Sequence, residues 1–217
     1  MPYQKAMGIP IDRLTCHDLA CVRGARLLFQ RLSFGLNSGE ILWLWGENGV
    51  GKTSLLRLLA GLAQPYQGSI CLNGQHNQQH SQDEDYPLQI GYLATRAPMK
   101  AELSVIENLE FWTSIYEKNL EDMQQALYGF GLEGRKNQPF GDLSTGFKKR
   151  LDLARLSLLK ARPLWLMDEP LNGLDKPSRE IWQDMVSDYC AKGGMVLVVS
   201  HENLPLDATK TLELTRC

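Results

Sequence analysis

The distribution of hydrophobic and polar positions divides the chain into strand-rich ends and a helical middle. Apolar runs bounded by turn residues predict three strands before the first glycine-rich loop, around 13–19, 27–36 and 40–45. A helix is predicted after that loop, from Lys52 to about Ala60, and a short strand with a turn follows at 67–74. The chain is therefore predicted to open in the order β-β-β-loop-α.

Helical periodicity dominates the middle of the chain, from Ser104 to roughly Leu159, where glycines separate the apolar segments. Two short apolar runs then return, in PLWLMDEP and MVLVVSHEN, on either side of a helix-like segment, and TLELT predicts a last strand. Continuous apolar strands that alternate with helices are typical of a parallel sheet covered on both faces. We expect one α/β domain over residues 1–217, with a helical subdomain inserted at roughly 95–160.

Composition narrows the classes of function. A chain of 217 residues is long enough for one compact core, and its formal net charge of −2 provides no basic field, so no nucleic acid is expected as a partner. The five cysteines lack metal-ligand spacing, and their odd number is typical of reduced thiols. No run approaches the roughly 20 apolar residues that span a bilayer, so we expect any membrane role to come through a partner.

One polar segment, HNQQHSQDEDYP, has no hydrophobic periodicity and is predicted to be an exposed loop. His76 and His80 within it have a spacing that metal ligands also show, but no cysteine or further histidine accompanies them. A solvated loop is therefore favoured over a metal site.

The stretch GENGVGKT, from Gly46 to Thr53, satisfies the pattern G-x-x-x-x-G-K-[ST] between a predicted strand and a predicted helix. Glycines let the backbone curl so that its N–H groups face an anion at the positive end of the helix. Lys52 is then placed to reach the β- and γ-phosphates of ATP, and Thr53 to ligate the Mg²⁺ that bridges them. The residues expected to contact the nucleotide from this region are Gly46, Glu47, Asn48, Gly49, Val50, Gly51, Lys52, Thr53 and Ser54.

Two adjacent carboxylates end the predicted strand in LWLMDEP, at the edge of a parallel sheet where ligands bind. We expect Asp168 to hold Mg²⁺ through water and Glu169 to act as the general base for an attacking water. His201 follows another apolar strand, where it fits either a γ-phosphate contact or a structural hydrogen bond. Ser144 and Gly146, in LSTGF, fit either a phosphate contact at a helix start or an ordinary N-cap.

The ordered set GENGVGKT, LSTGF, LWLMDEP, NGLD and VVSH resembles the nucleotide-binding subunit of ABC transporters over nearly the whole chain. The resemblance implies a P-loop NTPase fold with a mostly parallel central sheet, an antiparallel β region and an inserted helical subdomain. It implies ATP hydrolysis that uses Glu169, His201 and Lys52, with Asp175 in the D-loop. It also implies a head-to-tail dimer, with itself or with another ABC subunit, in which Ser144 and Gly146 contact the partner's ATP.

The same resemblance implies integral membrane subunits as partners and a peripheral position on the cytoplasmic face of the inner membrane. Three segments are most similar to the haem-exporting branch of the family that serves cytochrome c maturation: GKTSLLRLLAGL, IGYLATRAPMKAELSVIENLEFW and RLDLARLSLLKARPLWLMDEP. Two alternatives stay open at this point. One is an ABC ATPase for another cargo, such as a lipid, a lipoprotein or a drug, and the other is a soluble nucleotide-gated assembly or binding module.

Three positions depart from the family pattern. Arg96 stands where the family usually has a glutamine that touches Mg²⁺, and a guanidinium has no lone pair with which to ligate a cation. Its open roles are a γ-phosphate contact, an anchor for an acidic partner residue, a slower hydrolysis, or a plain solvated arginine. Phe147 replaces a polar residue of the signature motif, and Arg23 stands where an aromatic residue usually stacks on adenine, so we expect guanidinium stacking there.

Overall fold

The computed structural model describes residues 13–76 and 86–216. Its strands are β1 (Arg13–Arg23), β2 (Arg26–Asn37), β3 (Ile41–Trp45), β4 (Gln67–Leu72), β5 (Gln75–His76), β6 (Ile90–Leu93), β7 (Leu164–Asp168), β8 (Met195–Val199) and β9 (Lys210–Glu213). Its α-helices are α1 (Lys52–Leu59), α2 (Val105–Ile115), α3 (Leu120–Gly129), α4 (Thr145–Ser157) and α5 (Lys176–Ala191).

A five-stranded parallel sheet in the order β6-β7-β8-β3-β9 forms the centre of the fold. Every residue of β7 and β8 is buried, because alternate side chains enter two different hydrophobic cores. Trp165 and Met167, for example, pack with the helical subdomain, whereas Leu164 and Leu166 pack with α1 and the antiparallel strands. Burial on both faces explains the continuous apolar runs, and the predicted α/β fold with a mostly parallel sheet is confirmed.

A second sheet is antiparallel and has the order β2-β1-β4-β5. Strand β1 extends beyond the predicted end at Leu19 to Arg23, with register shifts after Cys16, Leu19 and Cys21. The polar segment that was predicted as a loop begins instead with β5, in which His76 pairs with Cys71. That part of the loop prediction is wrong, because backbone pairing in a two-residue strand needs no apolar pattern.

The other interpretation of this polar segment is a metal site at His76 and His80. His80 lies outside the described residues. Within 13–76 and 86–216 there is no group of three or more histidine, cysteine or acidic residues that could hold a metal ion. The cysteines in these ranges are free thiols, and Cys16, Cys21 and Cys190 are buried.

Helices α2, α3 and α4 pack on one another between β6 and β7, in the region predicted to be helical. Capping boxes define where α2 and α3 begin: Ser104 with Glu107, and Asn119 with Asp122, exchange side-chain to backbone hydrogen bonds. The single-domain extent and the limits of the helical subdomain stay predictions. Among the helices described, none is both long and apolar enough to cross a bilayer.

A buried ion pair within α4 is hydrogen-bonded to the strand that precedes the helical subdomain. Asp152 and Arg155 are 1% and 3% exposed, and Arg155 Nε lies 2.8 Å from Asp152 Oδ1. The Arg155 guanidinium also donates to the Tyr116 hydroxyl at 2.8 Å and to the Tyr92 carbonyl of β6 at 2.7 Å. Asp152 Oδ2 is buried without a hydrogen-bond partner among the described residues, so Arg155 provides most of the compensation for this carboxylate.

We expect Arg155→Leu to lower the free energy of unfolding by about 3–5 kcal/mol, because it leaves the Asp152 carboxylate buried and unpaired. The double variant Asp152→Ala/Arg155→Leu should recover much of that loss, since it removes both charges. Urea unfolding followed by tryptophan fluorescence measures both values. Equal losses in the single and double variants would contradict the assigned compensation.

Candidate nucleotide-binding site

The glycine-rich loop between β3 and α1 has backbone angles that require glycine. Gly46 has φ of 146°, and a Cβ added there would lie 2.4 Å from the Leu214 carbonyl oxygen. Gly51 has φ of 118° and is the N-cap of α1, where an added Cβ would lie 3.1 Å from the Phe29 ring. The loop therefore curls tightly against β2 and the residue that follows β9. In this conformation the backbone N–H groups at the start of α1 lie at the positive end of the helix.

Lys52 extends back into this loop. It is 7% exposed, and its ammonium donates to the carbonyl oxygens of Gly46 at 2.6 Å and Glu47 at 2.9 Å. Burial lowers the pKa of Lys52, and the charges of Glu169 and Asp168 oppose that shift. The arrangement holds a cation beside two carboxylates, at the place where the loop meets the end of β7.

Asp168 ends β7 and is 2% exposed. Its Oδ2 accepts two hydrogen bonds, from the Thr53 hydroxyl at 2.9 Å and from the Thr95 hydroxyl at 2.7 Å. Hydroxyl and carboxylate oxygens are hard donors of the type that Mg²⁺ prefers, so the side chains present fit this ion. Thr95 was not among the predicted site residues. The signal that would have found it is the apolar run IGYL, which ends in a polar hydroxyl two residues later.

Glu169 and His201 contact each other beside this oxygen cluster. Glu169 Oε1 lies 3.3 Å from His201 Nε2, and the Glu169 backbone N–H donates to the Val199 carbonyl at 3.0 Å. Burial raises the pKa of Glu169, and the charge of His201 opposes that shift. Glu169 also has φ of 50°, an uncommon backbone angle for a residue other than glycine. Such a carboxylate, held half-desolvated in a cleft, is suited to accept a proton.

A cavity of about 470 Å³ brings most of the predicted residues together. Its lining includes Arg23, Asn48, Gly49, Gly51, Lys52, Thr53, Ser54, Asp168, Glu169 and His201. Arg26, Leu28, Thr95 and Val199 also line it, and none of these was predicted. Three predicted residues of the glycine-rich loop do not line it: Gly46 and Glu47 present carbonyls to Lys52, and Val50 is 1% exposed in the core.

Ser144 and Gly146 lie in a different hollow, of about 420 Å³, that they share with Phe147, Arg150 and Asp175. Ser144 is the N-cap of α4, and its hydroxyl accepts from the Phe147 N–H at 3.4 Å. Neither residue lines the phosphate-loop cavity of the same chain. If they contact a nucleotide bound at a phosphate loop, that loop belongs to a second subunit.

The two other departures from the family pattern have different surroundings. Two guanidinium groups contact the Phe147 ring, that of Arg135 at 4.3 Å and that of Arg150 at 5.0 Å from its centroid. Arg150 also donates to both carboxylate oxygens of Asp175 at 3.0 Å. Its ring is therefore occupied by cations of its own subunit.

Arg96 is exposed and has no ion pair or hydrogen bond with the part of the chain that the structure describes.

A family model described as ABC transporter matches residues 29–172. The chain belongs to the ABC transporter family. A solved structure of an ATP binding subunit of an ABC transporter superposes with a TM-score of 0.78 at 27% identity, covering 87% of this chain and 79% of that chain. The predictions of an ATP-binding subunit and of its fold are confirmed.

Curated relatives refine this class. The chain is 38% identical to the cytochrome c biogenesis ATP-binding export protein CcmA of Haemophilus influenzae, over 93% of this chain and 95% of the relative. It is 40% identical to the protein of the same name from Nitrosomonas europaea, over 90% of this chain and 91% of the relative. A bacterial Atm1-family ABC exporter with ATP bound shares the fold, with a TM-score of 0.83 at 20% identity, and this chain spans 39% of its length.

We expect Lys52→Ala to weaken ATP binding by about 10- to 100-fold, because charge-assisted hydrogen bonds contribute about 1.5–3 kcal/mol. AMP, which lacks the β- and γ-phosphates, should bind native and variant protein about equally. Isothermal titration calorimetry measures both affinities, with the exposed Lys192→Ala as the matched control. Native ATP affinity in Lys52→Ala would contradict the role given to this lysine.

Proposed function

We propose that the chain is the ATP-hydrolysing subunit of an ABC exporter that moves haem through separate membrane subunits for cytochrome c biogenesis. The observation that carries the hydrolytic part is the end of β7, where Asp168 meets two hydroxyls and Glu169 meets His201 beside the phosphate loop. The cargo follows from relatives named for cytochrome c biogenesis and export, which align with this chain over nearly its whole length.

Each group has a defined part in the proposed reaction. The loop N–H groups and the Lys52 ammonium bind the β- and γ-phosphates, and the Glu169 carboxylate accepts a proton from the attacking water. His201, in contact with Glu169 at 3.3 Å, holds that carboxylate in place and faces the γ-phosphate. Thr53 and, through water, Asp168 are the groups that would hold Mg²⁺, which supplies neutralisation of phosphate charge when bound.

A head-to-tail dimer is part of the proposal. The distribution of predicted residues between two separate cavities supports it, because Ser144 and Gly146 do not line the cavity that contains the phosphate loop of their own subunit. The second subunit is another copy of this chain or a different ABC subunit. The dimer binds integral membrane subunits at the cytoplasmic face of the inner membrane, and closure around ATP is transmitted to them. Arg23, at the cavity, is the group proposed to stack on adenine.

We expect Glu169→Gln to bind ATP with near-native affinity and to lose at least about 100-fold in turnover, since a carboxamide cannot accept the proton. With hydrolysis blocked, an ATP-dependent dimer should accumulate. Phosphate release and analytical size exclusion measure the two effects, and Glu133→Gln in the helical subdomain is the matched control. Undiminished turnover in Glu169→Gln would remove this residue from the chemistry.

The cargo has its own test. In cells that lack their haem-export ATPase, the chain supplied with its membrane subunits should restore covalent haem in c-type cytochromes, and the Glu169→Gln variant should not. Haem staining of the separated cytochromes measures the result. ATP turnover that the membrane subunits stimulate, without any haem attachment, would contradict the haem assignment and favour another cargo.

A further inference from the structure

Thr95 is a polar contact of the site that lies outside the recognised motifs. It follows β6, which pairs in parallel with β7 so that Leu93 is level with Met167. Thr95 lies two residues after Leu93, and Asp168 lies one residue after Met167. Both are therefore at the same edge of the sheet. The Thr95 hydroxyl donates to Asp168 Oδ2 at 2.7 Å, and Thr95 lines the phosphate-loop cavity.

Thr95 and Thr53 make the same kind of hydrogen bond to Asp168 Oδ2. Both hydroxyls donate their single proton to this one oxygen, at 2.7 Å and 2.9 Å, and each keeps lone pairs that are free of that bond. Mg²⁺ prefers oxygen ligands and commonly keeps several waters, so hydroxyls can bind it directly while a carboxylate binds through water. Both hydroxyl oxygens lie within 2.9 Å of the same carboxylate oxygen, so an Asp168 that acts through water would hold both of them beside one ion.

The neighbouring residue cannot fill this role. Arg96 occupies the position where the family usually has a metal-contacting glutamine, and its guanidinium has only donors. Arg96 is also exposed and without a polar partner among the described residues. The nearest oxygen on the same segment with an observed contact to the metal-site carboxylate is the Thr95 hydroxyl.

We propose that Thr95 replaces that glutamine as an oxygen ligand of the Mg²⁺ that accompanies ATP. This inference rests on the proposed function, because it needs a nucleotide-bound metal at Asp168. A hydroxyl bound to a cation becomes a stronger hydrogen-bond donor, so metal binding strengthens the Thr95–Asp168 bond that already exists. Arg96 then has no part in holding the metal.

The first experiment measures metal affinity without turnover. Mn²⁺ binding to the protein with a non-hydrolysable ATP analogue, followed by electron paramagnetic resonance, should weaken by about tenfold or more in Thr95→Val and stay near native in Thr95→Ser. Analogue affinity in EDTA should be unchanged in both variants. The exposed Thr211→Val is the matched control. Native Mn²⁺ affinity in Thr95→Val would overturn the proposal.

A second variant separates a ligand from a group that only positions Asp168. Thr95→Cys introduces a soft sulfur, which favours Cd²⁺ over Mg²⁺ only if it binds the metal directly. The ratio of Cd²⁺ to Mg²⁺ affinity should rise at least about tenfold over native and over Thr211→Cys. An unchanged ratio, with weakened binding in Thr95→Val, would overturn the ligand role. If native protein shows no metal-dependent binding of the analogue at all, the proposed function itself fails.

Discussion

One carboxylate oxygen, Oδ2 of Asp168, joins the three parts of the chain that build the site. It accepts from Thr53 at the start of α1 and from Thr95 after β6, while Asp168 itself ends β7. A carboxylate that is 2% exposed has a large desolvation penalty unless hydrogen bonds compensate it. Folding therefore favours the arrangement in which both hydroxyls reach this oxygen, and the phosphate loop is held against the sheet edge before any ligand binds.

The charges around this oxygen explain why the site is suited to a polyanion. Asp168 and Glu169 place two carboxylates side by side, and Lys52 is held next to them by two loop carbonyls. Arg23, which ends β1, and Arg26, which begins β2, add cationic groups to the cavity lining. Under the proposed function, these cations and the loop N–H groups would bind the phosphates, and the acidic groups at the strand end would hold the metal and the attacking water.

The parts of this site that were predicted from the sequence are all marked by a motif within one short segment. GENGVGKT and LWLMDEP combine a buried strand with the chemical groups that follow it directly, so a single segment carries both position and chemistry. For Thr95 the local signal is only the apolar run that precedes it, and nothing in that run indicates which group the hydroxyl contacts. Its partner is 73 residues away, and only the parallel register of β6 with β7 brings the two together. The Arg155–Tyr92 bond, which spans 63 residues, escaped prediction for the same reason.

The N-terminus of α4, which carries the LSTGF motif, has contacts that the motif alone does not predict. Phe147 removes a polar group from the motif, yet its ring holds Arg135 and Arg150 close to the N-terminus of α4. Arg150 in turn bonds Asp175, the N-cap of α5, so the start of one helix is tied to the start of another. In the proposed dimer this end faces a triphosphate, and the substitution exchanges a neutral hydrogen-bonding group for a pair of oriented cations. In that proposed dimer, the residues at 96 and 147 change which side-chain atoms can contact the nucleotide, while the edge of the parallel sheet and the N-terminus of α4 still position the other groups.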